Sequence, residues 1–227
     1  MIPPVTIYKN ILPESLRQEL VEWFFQEDHY SDIRTDCESK APEWGRTDWP
    51  KQLVEPVVKY LHAEDYEVEM VHFFYNISSR FPVHVDSGLG EAHQSIYQGI
   101  ILPLMVNGDV GTVFFNNHWT DRCSKFVKDV DKLDISEFQR NGDLKNAVVS
   151  DYRTVQGYSG RPFNQDVYNR YLQHLNIEDL EGLEFDCYAP WVPGDAIVFP
   201  RSQLHAASSG TLPKLGISIF TNKHEHK

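Results

Sequence analysis

The sequence predicts a mainly β fold with flanking helices, a sandwich or barrel, and three observations point there. Many short runs rich in branched and aromatic residues are bounded by Gly, Pro, Asn or Asp; the apolar period changes from helical to alternating at about Tyr66; and the two clearest helical patterns come before that change. Repeated short strands with turn chemistry between them are what a closed or two-layered sheet requires.

Residues 5–8 read as a short strand. Leu12-Pro13-Glu14 then opens a helix, since proline suits a first turn whose N–H groups have no helical partner. Leu16, Leu20 and Phe24 form one stripe of that helix. A second helical pattern covers residues 52–61, with Val54, Val57, Val58 and Leu61 on one side and Pro56 expected within its first turn. From there Tyr66, Val68, Met70, His72 and Phe74 alternate with Glu67, Glu69, Val71, Phe73 and Tyr75, as in a strand with one face more buried. Further strand-like runs cover residues 99–106, 112–116, 185–191, 196–200 and 215–221. Residues 117–184 are polar and of mixed charge, with one helical stretch near 167–175. They read as an insertion between two core strands, either a substrate loop or surface elaboration. A length of 227 residues is within the reach of one β domain, so residues 1–227 are expected to form a single domain carrying that insertion.

The formal charge of -12 opposes a phosphate backbone, whose binding relies on Lys and Arg displacing counterions, so nucleic acid is a disfavoured partner. Met1-Ile2-Pro3-Pro4-Val5 has neither a basic region nor a long apolar run, and no segment carries the roughly 20 apolar residues of a membrane helix. A soluble, cytoplasmic protein without membrane association is the expectation. Cys37, Cys123 and Cys187 are odd in number, far apart and in no CxxC spacing, which suits three reduced thiols better than a disulfide framework or a zinc cage.

His84-Val85-Asp86 is the first candidate for chemistry, because residues i and i+2 of a strand share a face and can hold one metal ion between them. The spacing alone arises by chance in a chain this rich in His and Asp, so its surroundings decide its weight. A strand ends near Tyr75, an irregular segment containing Ser78, Ser79, Arg80 and Phe81 intervenes, and His84 arrives at the start of the next strand, as at a barrel mouth. Much later Pro193-Gly194-Asp195 makes a turn into the apolar run 196–200, and His205 follows. Two imidazoles and a carboxylate on one face of an octahedron leave three positions open, the arrangement of non-haem Fe(II) oxygenases rather than of structural zinc. A bidentate keto acid takes two of those positions and O2 the third. Both histidines must be neutral to ligate, so activity is expected to fall as pH drops through their titration range.

These two segments resemble the iron- and 2-oxoglutarate-dependent dioxygenases, nearest to their prolyl-hydroxylase-type branch. That branch carries a Tyr nine residues before its HxD, and Tyr75 stands at that distance from His84. Gly111-Thr112-Val113-Phe114 resembles the branch's Gly-Glu-Thr-Val-Phe strand, and Pro193-Gly194-Asp195-Ala196-Ile197-Val198-Phe199 resembles its Gly-Asp-Ala-Leu-Leu-Phe run. The resemblance implies a double-stranded β-helix, or jelly roll, with Fe(II) held by His84, Asp86 and His205. It implies that 2-oxoglutarate and O2 are consumed, that succinate and CO2 are released, and that hydroxylation is the usual outcome. A basic residue nine or ten positions after the distal His binds the far carboxylate of 2-oxoglutarate in that family. Lys214 stands nine after His205, a point charge where arginine's two-pronged grip is commoner. By the same resemblance Tyr75 donates a hydrogen bond to the co-substrate, and Thr112 and Ser218 add others. Ser78 and Ser79 stand where the branch usually has glycines, and the segment 117–184 has no counterpart in it.

Blander identities compete at several positions. His72, among apolar neighbours, reads as a hydrogen-bonded core histidine; His62 and Glu64 lie at a helix end where i and i+2 diverge; His224 and His226 belong to a polar tail. Arg80 and Arg201 rival Lys214 as inward cations, and Tyr97, Trp119 and Trp191 line either a cavity or the core. The implied substrate is an amino-acid side chain, free or in a polypeptide, or a small metabolite. The alternatives are a metal-binding jelly-roll module or sensor without turnover, and a cupin-like isomerase or metal-dependent hydrolase, although the HxH and glycine pattern of cupins is missing.

Overall fold

Alternation along one strand sets the layers of this molecule. In β12 (Lys214–Lys223), Leu215, Ile217 and Ile219 are buried in the cluster that includes the helices, so Lys214, Gly216 and Ser218 take the opposite face. The computed structural model describes residues 4–26, 31–33, 37–40, 51–61, 66–76, 83–86, 96–118, 125–126, 149–150, 161–211 and 213–223. Among these, β1 (Thr6–Tyr8), β2 (Ser31–Ile33), β3 (Cys37–Lys40), β4 (Tyr66–Asn76), β5 (Ile96–Val106) and β10 (Ala196–Pro200) join β12 in a seven-stranded sheet. Its order is β1-β10-β5-β12-β4-β3-β2, and every pairing is antiparallel.

A second sheet has the order β11-β6-β9, from β6 (Gly111–His118), β9 (Phe185–Pro190) and β11 (Gln203–Ala207). Residues 83–86 extend it beyond β11: His84 and His205 exchange both backbone hydrogen bonds, at 2.9 and 3.0 Å, as an antiparallel pair. The strands β7 (Lys125–Phe126) and β8 (Val149–Ser150) form a separate parallel pair. Two facing antiparallel sheets whose strands cross between them make a mainly β double-stranded β-helix with flanking helices, as the sequence led us to expect.

Three apolar layers follow from the alternation. On the outer side of the large sheet, Val71, Phe73, Ile100, Leu102, Leu104 and Val198 pack with helices α1 (Glu14–Gln26) and α2 (Lys51–Leu61). Leu20 and Phe24 of α1 are fully buried there, each worth roughly 1.5–3 kcal/mol of transfer free energy. Val54, Val57, Val58 and Leu61 of α2 are buried as its stripe requires. Between the sheets lie Ile101, Phe114, Ala189, Trp191, Ile197 and Phe199. Outside the small sheet, Val83, Val85, Val113, Phe115, Leu204 and Ala206 pack with Phe163, Leu172, Leu180 and Leu183.

Several boundaries differ from the sequence reading. Pro56 is the sixth residue of α2, not part of its first turn. Its missing N–H would have bonded the carbonyl of Gln52 at the helix's amino-terminal end, and the buried stripe offsets that loss. Strands β2, β3 and β11 were not expected, and β5 starts three residues early, at Ile96. The helical stretch near 167–175 is α3 (Gln165–Val167), capped by the Asn164 side chain, running into a π-helical turn at Tyr168–Leu172. It belongs to the layer behind the small sheet, so the described end of the insertion supports the barrel wall from outside.

Asp195 explains the Pro-Gly-Asp turn. Its buried carboxylate accepts from the Asn10 backbone at 2.9 Å and from Lys9 Nζ at 2.7 Å, pinning the β1–α1 connection to the start of β10. Gly194 holds φ +91°, a conformation that a side chain would strain. No described helix is long and apolar enough to cross a membrane.

Candidate metal centre

Partners in an antiparallel pair project their side chains to the same side, and so do residues two apart along a strand. The His84–His205 pairing therefore puts both imidazoles on one face, and Asp86 joins them from the same segment. The ring centroids of His84 and His205 are 4.1 Å apart. Asp86 Oδ1 lies 3.9 Å from His84 Nε2, and Asp86 Oδ2 lies 3.5 Å from His205 Nε2. One donor atom from each residue falls within 4.8 Å of the others, the only such grouping of three His, Cys, Asp or Glu among the described residues.

The surroundings prepare these groups to ligate. His205 Nδ1 is 2.9 Å from the Gln203 carbonyl, which can only accept, so Nδ1 carries a proton and Nε2, 3.5 Å from Asp86 Oδ2, is the nitrogen left to ligate a metal. Phe114 and Phe199 flank the His205 ring, with centroids 5.6 and 4.9 Å away. Burial works to raise the Asp86 carboxyl; the charge and hydrogen bond of His205, with His84 and Arg201 adding to them, outweigh it and hold the carboxyl below its usual range. The carboxylate is thus ionised at neutral pH. Two imidazoles and a carboxylate at one end of an inner face, with no protein ligand opposite them in the grouping, fit a divalent transition metal with open positions.

Lys214 also faces the interior. It is buried, and its Nζ lies 4.3 Å from the centroid of the Trp191 ring. Thr112 shares the inner face of β6 with Phe114, one row further from the His205 pairing, and its Oγ1 accepts from Trp191 Nε1 at 3.0 Å. Ser218 occupies the same face of β12 as Lys214, four residues along. Tyr75 is on the other side. It pairs with Leu215 and packs edge-on against Phe24 and Phe25 of α1, at 6.0 and 5.4 Å, so it points into the helix layer and away from the metal residues. This corrects the placement that the family pattern implies: the strand's parity relative to β12 puts Phe74 inside and Tyr75 outside.

Arg201, a rival to Lys214 in the sequence, has another task. It is fully buried and donates from Nε to the Asp86 carbonyl at 2.6 Å and from a terminal nitrogen to the Thr221 carbonyl and Asn222 Oδ1. With Asp86 N bonded to the Arg201 carbonyl at 3.0 Å, the residue ties the metal segment to the end of β12. Gln203 and Arg201 carry no motif that singles them out; each acts through backbone groups brought near by the fold. Tyr97 supplies a carbonyl to Arg201 N, whereas Arg80, Trp119 and most of 117–160 lie outside the described residues.

No protein-family model matches the sequence, and no curated protein sequence does. Solved structures do. The non-heme alpha ketoglutarate dependent carbocyclase SnoK from nogalamycin biosynthesis aligns at a TM-score of 0.55 with 12% identity over 96% of this chain and 80% of its own. The epimerase SnoN of the same biosynthesis, in complex with Fe3+, alpha ketoglutarate and nogalamycin RO, gives 0.55 with 12% identity over 96% and 78%. The viral collagen prolyl hydroxylase of Paramecium Bursaria Chlorella virus-1 gives 0.51 with 10% identity over 98% and 97%.

The chain has the fold of the iron- and 2-oxoglutarate-dependent oxygenases.

In this oxygenase fold the residues His84, Asp86 and His205 sit together at one end of the inner face of the small sheet, while Lys214 and Thr112 stand further along the inner space. Thr112 is two residues from Phe114, the partner of His205, so the two rows are separated by about 7 Å along the strand.

Proposed function

We propose that this protein is an Fe(II)- and 2-oxoglutarate-dependent dioxygenase that oxidises a small molecule or an amino-acid side chain, free or in a polypeptide, and releases succinate and CO2. The observation that carries this reading is the convergence of His84, Asp86 and His205 within 4.8 Å on one inner face. A buried lysine on that same interior supports it further.

His84, Asp86 and His205 would hold the metal. Bound there, Fe(II) supplies the oxidising power that O2 and the keto acid generate together. The chain's own residues bind, orient and exclude water. Gln203 keeps His205 in the ligating tautomer through its carbonyl. Lys214 attracts the far carboxylate of the keto acid, and Thr112 donates a hydrogen bond to it, about one strand row from the metal residues. Ser218, on the Lys214 face, is a further contact for the co-substrate. Phe114 and Phe199 keep the His205 side of the site apolar, which strengthens charge interactions inside it.

Hydroxylation is the outcome we favour. The epimerase and the carbocyclase that share this fold make stereochemical inversion and ring closure worth including among the products sought.

The deciding experiment supplies Fe(II), ascorbate, O2 and 2-oxoglutarate and measures succinate, first alone and then with panels of amino acids, peptides and small metabolites. Wild-type protein is expected to form succinate, faster with a true substrate, and Asp86→Ala none above background. Full Fe(II) and 2-oxoglutarate binding with no succinate under any panel would make the protein a binding module instead.

A further inference from the structure

Resting on the function just proposed, we infer that Trp191 is a positioning residue for the keto acid, holding Lys214 and Thr112 as one anion-binding pair. The indole touches both: its face lies under the Lys214 ammonium at 4.3 Å from Nζ to the ring centroid, and its Nε1 donates to Thr112 Oγ1 at 3.0 Å.

Each contact has a directional consequence. An indole N–H can only donate, so Thr112 must accept from it, and the hydroxyl keeps its own proton to give to an anion. The negative face of the indole attracts the ammonium of this buried lysine and fixes where it stands. Trp191 therefore turns a lysine on the large sheet and a threonine on the small sheet into donors with a set separation. Gly216 serves the same arrangement, because a β carbon there would stand 3.0 Å from the indole Cη2 and Cζ3 and 3.2 Å from Phe74, displacing the ring.

The test is calorimetric binding of 2-oxoglutarate to the full chain loaded with Mn(II) in place of Fe(II), with thermal melting as a fold control. Trp191→Phe keeps a ring face under Lys214 and loses the N–H; about a fivefold weaker dissociation constant is expected. Trp191→Leu loses both contacts, and about a thirtyfold weakening is expected. The double variant Trp191→Phe with Thr112→Val should bind no more weakly than Thr112→Val alone, since the lost N–H acts through that hydroxyl. In turnover the KM for 2-oxoglutarate should rise more than kcat falls. Wild-type affinity in a folded Trp191→Leu, or effects of Trp191→Phe and Thr112→Val that multiply, would overturn the inference while leaving the proposed function standing. Failure of wild-type protein to bind 2-oxoglutarate at all would end both.

Discussion

On the inner face of the small sheet stand His84, Asp86, His205 and Thr112; from the residues between them, on its outer face, stand Val83, Val85, Leu204, Ala206 and Val113. The same segments of chain thus carry a ligating surface and an apolar one. The outer residues lock against Phe163, Leu172, Leu180 and Leu183, and that contact fixes the register. Because a one-residue slip would exchange the two faces, the apolar packing behind the sheet is what keeps both histidines pointing inward. Function on one side depends on burial on the other.

The sharpest way to break this comparison is to remove a residue from each face. Asp86→Ala or His205→Ala should reduce succinate formation to background and abolish stoichiometric Fe(II) binding, while the melting temperature of the metal-free protein stays close to wild type. Leu204→Ala, next to His205 but buried on the other side, should do the reverse. A loss of roughly 2–5 kcal/mol in denaturant unfolding is expected from the cavity, with Fe(II) stoichiometry retained in the folded fraction. If Leu204→Ala left stability intact, or Asp86→Ala kept keto-acid turnover, the division of labour between the faces would not hold.

What the sequence disclosed is what local spacing can encode. The stripes of α1 and α2, the run 196–200 and the i, i+2 relation of His84 and Asp86 each lie within a few residues, and each appears in the structure. The family's spacing after the distal His singled out Lys214, and one connection from β11 in the small sheet to β12 in the large sheet leaves that lysine buried. Strand β11 was hidden: Gln203-Leu204-His205-Ala206-Ala207 has no β-branched residue, and pairing with β6 makes it a strand. Tyr75 misled because the family's spacing before the HxD does not say which face of the strand is inside; the pairing with β12 does.

That point yields a smaller, sharper contrast between two hydroxyls. Tyr75→Phe removes one that faces the helix layer, and the dissociation constant for 2-oxoglutarate should stay within about twofold of wild type. Thr112→Val removes one on the inner face, leaves the Trp191 N–H buried without its acceptor, and should weaken binding about tenfold. Equal effects, measured by the same calorimetry, would mean that Tyr75 reaches the site after all.

Cys187 provides the gentlest probe of the inner face. It pairs with Phe114, which pairs in turn with His205, so the thiol looks into the same interior from the opposite edge of the small sheet. Burial, then the neighbouring Asp186 carboxylate, pushes the thiol up to about 11. A raised value keeps the sulfur protonated through neutral pH, and the reactive thiolate appears only as pH climbs towards that value. With iodoacetamide at pH 8, peptide mapping should find Cys187 on the order of a hundredfold slower to alkylate in native than in unfolded protein, where an ordinary cysteine titrates near 8.5. Its native rate should grow about tenfold per pH unit between 8 and 10, following the thiolate fraction. Asp186→Asn removes the second cause and leaves the first, so labelling should quicken by a few fold and remain slower than in the unfolded chain. Native labelling at pH 8 as fast as in denaturant would mean that water reaches this edge freely, and an inner face open there could not exclude solvent from the residues across the sheet.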